Sequence, residues 1–291
     1  AYDKEEVLVC RFVFTNNPGG FCIVFSMSHT VGDGHTFYNI MNQLSAPEEV
    51  RAFEPTRNLD FGENATEVLE TSDKACRMQF MSSWIVGALG NVMKRTFAGH
   101  KTRVFRGLID EEQIATLKAD AQSRGTVPFV STNDIITSAF SNATAAHTCM
   151  MVMDLRGRMD GLTGDHAGNY VNCLMFDTAN SATPDRIRQS LLHPRFICRD
   201  EPAKMFSRFC LITNWSSFSK PLRIPGCVEH QHQPLMFDMK QAAYLPFEMM
   251  IVYRAGGGRL GVYWITPRGG SEKDVLGDMP LALDTLSCSE I

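Results

Sequence analysis

The chain lacks the features that mark several large classes of protein. Its nine cysteines are scattered without CxxC spacing, so the sequence favours neither a zinc site nor a disulfide framework. No apolar run reaches the roughly 18 residues that a membrane-spanning helix needs. The 28 Lys and Arg residues do not outnumber the 32 Asp and Glu residues, so we expect no nucleic-acid partner.

The first ten residues, AYDKEEVLVC, are charged and lead into a strand pattern, unlike a signal peptide. Together with the cysteine pattern, this predicts an intracellular, reducing compartment. Cytoplasm and organelle both stay open, because removal of a targeting segment leaves the same sequence. The remaining composition, 44% hydrophobic and 21% charged over 291 residues, is that of an ordinary globular protein of one large domain or two small ones.

Strand and helix patterns alternate along most of the chain. EEVLVCRFVF and FCIVFSMSH predict two strands joined by a turn, and GHTFYNIMNQLS has apolar residues at helical spacing. DEEQIATLKADAQ and STNDIITSAFSN predict capped helices, whereas TCMMVMD, NYVNCLMF and FCLITN predict strands. FEMMIVYRAGGGRLGVYWITP predicts a hairpin that turns at three glycines. This order predicts an α/β or α+β sandwich with a mixed sheet and flanking helices.

The segment SMSHTVGDGHTFY joins a predicted strand to a predicted helix and contains His29, Asp33 and Gly34 in an HxxxDG pattern. Histidine suits general-base catalysis because its ordinary pKa lies near neutrality. At the end of an apolar strand, His29 is expected to be held rigidly and to face a channel. Gly32 and Gly34 permit a tight backbone path there. By itself the pattern fits a structural histidine before a turn equally well.

Several segments in the same order resemble one superfamily of acyltransferases. The HxxxDG pattern at His29, Asp33 and Gly34 is similar to that of chloramphenicol acetyltransferase, plant BAHD enzymes and peptide-synthetase condensation domains. MDLRGRMDGLTGDHAGNYV resembles the BAHD "DLR-R…GN" segment, and LITNWSSF resembles its "TSW" segment at Thr213 and Trp215. The resemblance covers about residues 5 to 265 and implies a two-layer sandwich like that of chloramphenicol acetyltransferase.

The resemblance implies transfer of an acyl group from an acyl-CoA co-substrate to a hydroxyl or amine of a small-molecule acceptor, without a bound cofactor or metal. His29 takes the general-base role, and Thr213 the role of hydrogen-bond donor to the oxyanion, with Trp215 packed beside it. A plain buried strand accounts for Thr213 and Trp215 almost as well. A condensation enzyme that joins carrier-bound acyl groups would differ in the donor.

The resemblance also implies residues that support the site. Asp33 is expected to pair with an arginine and hold the loop, and Arg156 is preferred over Arg158 as its partner. Gly34 allows the tight turn, and Asn169 orders the wall of the channel.

Two departures from the BAHD pattern affect the predicted function. The DFGWG motif is absent, and only 28 residues precede His29 where family members have over a hundred. We therefore expect residues 1–45 to be the end of a first half-domain, 46–71 a crossover, 72–275 a second half-domain that begins with a hydrophobic helix at 72–97, and 276–291 a C-terminal tail. The chain is therefore processed or incomplete, its other half is a separate polypeptide, or it has a shorter architecture. The alternative function is that of a non-catalytic subunit or binding module in a larger assembly.

Three other features of the sequence carry little weight in the predicted function. His230 and His232 lie in a polar loop without a cysteine or acid at ligand spacing, so no metal site is predicted. RAGGGRLG lacks the strand-to-helix setting of a phosphate loop and is interpreted as a hairpin turn. His35 follows Gly34 on the predicted helix, where it lines the channel or faces solvent.

Overall fold

The structure is a computed structural model. It describes residues 10–45, 49–62, 64–65, 85–86, 89–90, 92–93, 96–97, 99, 101–192, 198–200, 208–234, 245, 247–269 and 271–290. The predicted hydrophobic helix at 72–97 lies largely outside these residues.

Seven strands of the described chain form one mixed sheet. Their bounds are β3 Arg103–Ile109, β4 Thr148–Asp154, β5 Val171–Asp177, β6 Phe209–Asn214, β7 Glu248–Arg254, β8 Leu260–Thr266 and β9 Leu281–Glu290. In sheet order they are β5, β4, β6, β7, β8, β3 and β9. The strands β4, β6 and β7 are parallel neighbours, and every other neighbouring pair is antiparallel.

Helices with well-defined caps connect these strands. Asp110 accepts a hydrogen bond from the Gln113 backbone and begins the helix after β3. Ser131 and Asp134 form the capping box that the sequence predicts for the next helix. The bounds are α1 Gly34–Asn42, α2 Glu111–Ser123, α3 Thr132–Thr144, α4 Thr178–Ser181, α5 Pro184–Leu192 and α6 Glu272–Leu276.

The main hydrophobic core lies between one face of the sheet and the helices. Trp264 of β8 is fully buried, and Phe140 of α3 packs against it edge to face at 5.4 Å. The other sheet face has a smaller core, on which Trp215 packs. The buried members of this smaller core are Val104, Ile251, Tyr253, Tyr263 and Ile265.

A separate hairpin precedes the sheet. Its strands β1 (Cys10–Asn17) and β2 (Gly20–Met27) pair with each other and with no other strand of the described chain. Phe25 fastens the hairpin to α1, because its ring stacks on Phe12 at 4.4 Å and lies 4.5 Å from Phe37. Farther along the same face, Phe14 is 62% exposed and Phe21 is 42% exposed. The apolar face of the hairpin is therefore covered only at its α1 end by described residues.

The predicted fold class, a sandwich with a mixed sheet and flanking helices, is confirmed. Within the predicted C-terminal tail, Leu281–Glu290 forms the edge strand β9 and pairs with β3. Its alternating pattern is weak and polar, as an edge strand allows, and pairing with β3 fixes it. In the described parts of the chain, no helix has the length and hydropathy needed to cross a membrane.

Candidate active site

The HxxxDG segment is the turn between β2 and α1. Asp33 is the N-cap of α1, and its carboxylate accepts a hydrogen bond from the Thr36 backbone N–H at 3.0 Å. Its own backbone N–H donates to the Gly168 carbonyl at 3.1 Å. The turn is therefore held both by the first turn of α1 and by the loop that contains Gly168.

Arg156 forms a buried, two-pronged ion pair with Asp33. Its two terminal nitrogens lie 2.9 and 3.2 Å from the two carboxylate oxygens, and both side chains are 2% exposed. The Tyr170 backbone N–H also donates to this carboxylate, at 2.9 Å. Since two buried charges are stable only when fully hydrogen-bonded, the completeness of this set makes the pair a rigid clamp.

The same guanidinium organises the loop 157–170. Its Nε donates to the His166 carbonyl at 3.0 Å and one terminal nitrogen donates to the Gly168 carbonyl at 3.0 Å. Gly168 has a φ of +151°, and a Cβ there would lie 2.8 Å from the Tyr170 ring, so this position requires glycine. Arg156 therefore joins the loop to the start of α1, because its guanidinium bonds both to the loop carbonyls and to Asp33.

His29 lies at the edge of this clamp with an exposed imidazole. Its backbone carbonyl accepts a hydrogen bond from the Asn169 side-chain amide at 2.6 Å. The Asn169 Oδ1 atom is buried and has no hydrogen-bond partner among the described residues. The His29 imidazole likewise has no such partner in the described chain, so its ring nitrogens are accessible for proton transfer.

Trp215 brings the end of β6 next to the same turn. Its backbone N–H donates to the Val252 carbonyl at 2.8 Å, and its ring lies 6.2 Å from the Tyr38 ring of α1. A Cβ on Gly34 would lie 3.1 Å from Trp215 Nε1, so glycine permits this close approach. Thr213, two residues earlier, is buried, and its hydroxyl has no hydrogen-bond partner in the described part of the chain.

A second loop holds the far end of α1. The Asn42 side chain donates to the Phe218 carbonyl at 2.8 Å and accepts from the Lys220 backbone N–H at 3.1 Å. Ser45 accepts from the Arg223 backbone N–H at 3.0 Å. The helix that follows the HxxxDG turn is therefore anchored at both ends, and this fixes the orientation of the turn.

His35 connects α1 to the clamp through Asp154. His35 Nδ1 lies 3.1 Å from Asp154 Oδ2, and the other Asp154 oxygen accepts from Arg156 at 2.9 Å. Burial lowers the pKa of His35, but the hydrogen bonds with Asp154 and the Gly164 carbonyl outweigh it, so the pKa is raised. Burial raises the pKa of Asp154, yet the hydrogen bonds from His35 and Arg156 reverse that effect and lower it.

The loop that contains His230 and His232 has a packing role. His232 Nδ1 contacts the Arg254 carbonyl, which only accepts, so Nδ1 carries the proton and Nε2 accepts from the Tyr38 hydroxyl at 3.3 Å. Burial is the main cause of the raised pKa of Tyr38. No group of three or more potential metal ligands occurs among the described residues. The glycine segment after Arg254 is the β7–β8 hairpin turn.

The structure brings the predicted site residues together in two groups, one around the Asp33–Arg156 pair and the other around Trp215. Asp33 contacts Arg156, while Asn169 contacts His29. Trp215 contacts the turn at Gly34, and Thr213 belongs to the same strand end. Arg158 is exposed.

Sequence reasoning missed Asp154 and the contact of His35 with it, which leaves the His35 side chain only 17% exposed. The sequence signal that could have pointed to Asp154 is its position directly before the LRGR segment.

Neither a protein-family model nor a curated protein matches the chain. Solved structures do. Polyketide synthase associated protein 5 from Mycobacterium tuberculosis is 13% identical with a TM-score of 0.57, over 94% of this chain and 76% of that one. Vinorine synthase is 14% identical with a TM-score of 0.55, over 97% of this chain and 67% of that one.

These likenesses show the fold. The chain shares the chloramphenicol acetyltransferase-like fold with these two proteins, as the sequence predicted. The chain spans about three quarters and two thirds of the lengths of the two neighbours.

Proposed function

We propose that the protein is an acyltransferase in which His29 is the general base. The observation that carries the proposal is an exposed imidazole at the end of β2, next to a turn that a buried Asp33–Arg156 ion pair holds rigidly. A base held by rigid elements loses little orientation entropy when substrate binds. The acyltransferase fold of the chain supports the same conclusion.

The proposed donor is an acyl-CoA thioester, and the acceptor is a hydroxyl or amine of a small molecule. His29 removes the proton from the acceptor as its oxygen or nitrogen forms a bond to the thioester carbonyl carbon. The tetrahedral intermediate then collapses, the carbon–sulfur bond breaks, and the imidazolium returns its proton to the departing thiolate. The products are the acylated acceptor and free CoA, and the enzyme is unchanged.

Thr213 is the proposed donor to the oxyanion of the intermediate. Its hydroxyl lacks a partner within the described residues and lies two positions before Trp215, which contacts the HxxxDG turn at Gly34. A hydroxyl already placed to donate stabilises charge that develops only in the transition state. Trp215 positions this strand end against α1.

Mass spectrometry of acyl transfer tests the function. Purified protein is incubated with a panel of acyl-CoA thioesters and pooled alcohols and amines, and free CoA and acylated products are quantified. His29→Ala should lower kcat/KM by roughly 10²- to 10⁴-fold, the usual contribution of a general base. Thr213→Val should lower it by roughly 10²- to 10³-fold.

The matched control is His147→Ala, an exposed histidine after α3 that is remote from the turn in sequence. It should leave transfer unchanged. Equal loss in the His29 and His147 variants, or full activity without the His29 imidazole, would remove His29 from the mechanism.

A second polypeptide that covers the β1–β2 hairpin is the proposed partner. Phe14 and Phe21 are exposed on its apolar face, and the hairpin has no further strand beside it in the described chain. An isolated two-stranded hairpin is marginally stable in water, so added strands would stabilise it.

Native mass spectrometry with and without acyl-CoA separates the alternatives. A heterodimer that takes up acyl-CoA supports an enzyme completed by its partner. A fixed position in a large complex without acyl-CoA uptake would favour the non-catalytic subunit instead.

A further inference from the structure

Both ring nitrogens of His35 face hydrogen-bond acceptors. Nδ1 lies 3.1 Å from Asp154 Oδ2, and Nε2 lies 3.0 Å from the Gly164 carbonyl oxygen. The Asp154 carboxylate and the carbonyl only accept, so each contact requires an N–H on the ring. A neutral imidazole has one N–H, whereas the imidazolium has two. Both contacts therefore form together only when His35 is protonated.

Asn39, one turn farther along α1, provides an alternative partner. Its Nδ2 lies 2.7 Å from His35 Nε2. When His35 is neutral with the proton on Nδ1, the contact to Asp154 persists and Nε2 accepts from the Asn39 amide. The Gly164 carbonyl then loses its donor. The two states differ by one proton and by whether α1 is bonded to the loop at Gly164.

Of the groups around the ring, the Asp154 carboxylate favours the protonated state and the Asn39 amide favours the neutral one. Asp154, at the end of β4, and Arg156, in the following loop, are the charged groups that act on it, while α1 contributes the neutral Asn39. The Phe218 ring meets the imidazole edge to face at 5.4 Å from the loop after β6. Burial and the charge of Arg156 lower the pKa of His35, but the hydrogen bonds with Asp154 and the Gly164 carbonyl outweigh them, so the pKa is raised.

The loop that carries Gly164 also carries the residues next to His29. Asn169 holds the His29 carbonyl, and the segment around Glu54 pairs with the same loop through bonds of 2.9 and 3.0 Å to Asp165 and Ala167. The bond from His35 to Gly164 is therefore a proton-dependent attachment in a loop whose other end contacts the HxxxDG turn.

We propose that His35 is a proton-linked positioning residue, which as an imidazolium fastens the 157–170 loop to α1 and so holds Asn169 against His29. The link to catalysis rests on the function proposed above. His29 must be neutral to act as a base, whereas His35 must be charged to hold the loop. Transfer therefore decreases as pH rises through the titration of His35.

The direction of this pH dependence follows from the linkage between protonation of His35 and the attachment of the loop. The folded state raises the pKa of His35 above its ordinary value of 6.5. The attachment is thus complete below that value and is lost as pH rises through the raised folded value.

Two substitutions isolate the bond to Gly164. His35→Gln places an amide N–H near the position of Nε2 and keeps a donor to Gly164 at every pH. His35→Asn places its N–H near Nδ1 and keeps the contact to Asp154 alone. The pair thus mimics the attached and detached states without a titratable group.

Hydrogen exchange of the 157–170 peptide, measured between pH 5.5 and 9 and corrected for intrinsic rates, tests the attachment without any substrate. Exchange in the wild-type protein should become roughly 2- to 10-fold faster across the His35 titration, the equivalent of one ordinary hydrogen bond. Exchange in His35→Gln should stay slow, and exchange in His35→Asn should stay fast. Identical pH dependence in all three proteins would overturn the proposal.

Two further readouts separate this proposal from the proposed function. Histidine-selective ¹⁵N NMR should show both His35 nitrogens protonated at pH 6, and a persistently neutral ring would overturn the switch. If transfer occurs, His35→Gln should remove the loss of kcat/KM at alkaline pH. An unchanged alkaline loss in His35→Gln would refute the assigned role, whereas absent transfer with the expected exchange pattern would refute only the proposed function.

Discussion

Asp33 has two structural roles that a single carboxylate performs together. It caps α1 through Thr36 and neutralises the buried guanidinium of Arg156. Each role would be satisfied by other residue types, but only a short carboxylate serves both, since a longer side chain would displace the cap. At the scale of the residue, the aspartate of the HxxxDG pattern is therefore a part of the scaffold.

Asp33→Ala should destabilise the protein strongly. It leaves the Arg156 charge buried without its main partner, which typically costs about 3–5 kcal/mol, and removes the cap of α1. Urea unfolding measures the loss. Asp160→Ala, at an exposed loop position, should change the free energy of unfolding by less than about 0.5 kcal/mol. Equal midpoints for the two variants would show that the pair contributes nothing.

At the scale of the element, Glu248 joins the sheet to its helices. Its carboxylate accepts hydrogen bonds from Trp264 Nε1 at 2.8 Å and from the Thr266 hydroxyl at 3.0 Å. It also accepts from Arg268 Nε at 2.6 Å, and Arg268 in turn donates to carbonyls at the end of α3 and in α6. This one carboxylate holds β7, β8 and two helix ends in register.

Glu248→Ala should lower the free energy of unfolding by about 3 kcal/mol, near the low end for breaking a buried pair, because Arg268 is partly exposed. Glu248→Gln is the matched comparison. Burial is the main cause of the raised pKa of Glu248, so the neutral amide relieves a desolvation cost and should lose only about 1 kcal/mol. Thermal and urea unfolding of both variants check the order. A larger loss in the Gln variant would contradict this account.

At the scale of the whole molecule, the β1–β2 hairpin and the seven-stranded sheet differ in how much of their surface is covered. The central strands β6 and β7 are hydrogen-bonded on both sides and buried. The hairpin pairs with itself and packs on α1 through Phe25 and Phe37. Local stability follows burial and pairing, so the two parts should open with different free energies.

Hydrogen exchange of the isolated chain should show this difference. Amides of β1 and β2 should exchange roughly 100-fold faster than those of β6 and β7, after correction for intrinsic rates. Addition of the proposed second polypeptide should slow the hairpin and leave the central strands unchanged. Equal protection of hairpin and sheet in the isolated chain would contradict the marginal stability inferred for the hairpin.

The sequence predicted much of this organisation, for identifiable reasons. The capping box at Ser131 and Asp134 is a local signal, and it occurs in the structure as predicted. The β7–β8 hairpin was likewise predictable from two apolar runs around three glycines. The strand β9 was not, because a polar edge strand has little pattern of its own and forms by pairing with β3.

Local sequence is sufficient to predict the alternation of strands and helices, the helix caps and the HxxxDG segment, because each depends on residues within a few positions of one another. The partners of His35 follow only from the packing of the folded chain. Gly164 lies 129 positions away along the chain, and neither it nor Asp154 has a local feature that points to α1. The reason is physical: a hydrogen bond between distant segments depends on how the sheet, the loop and the helix pack, and packing is a property of the whole folded chain.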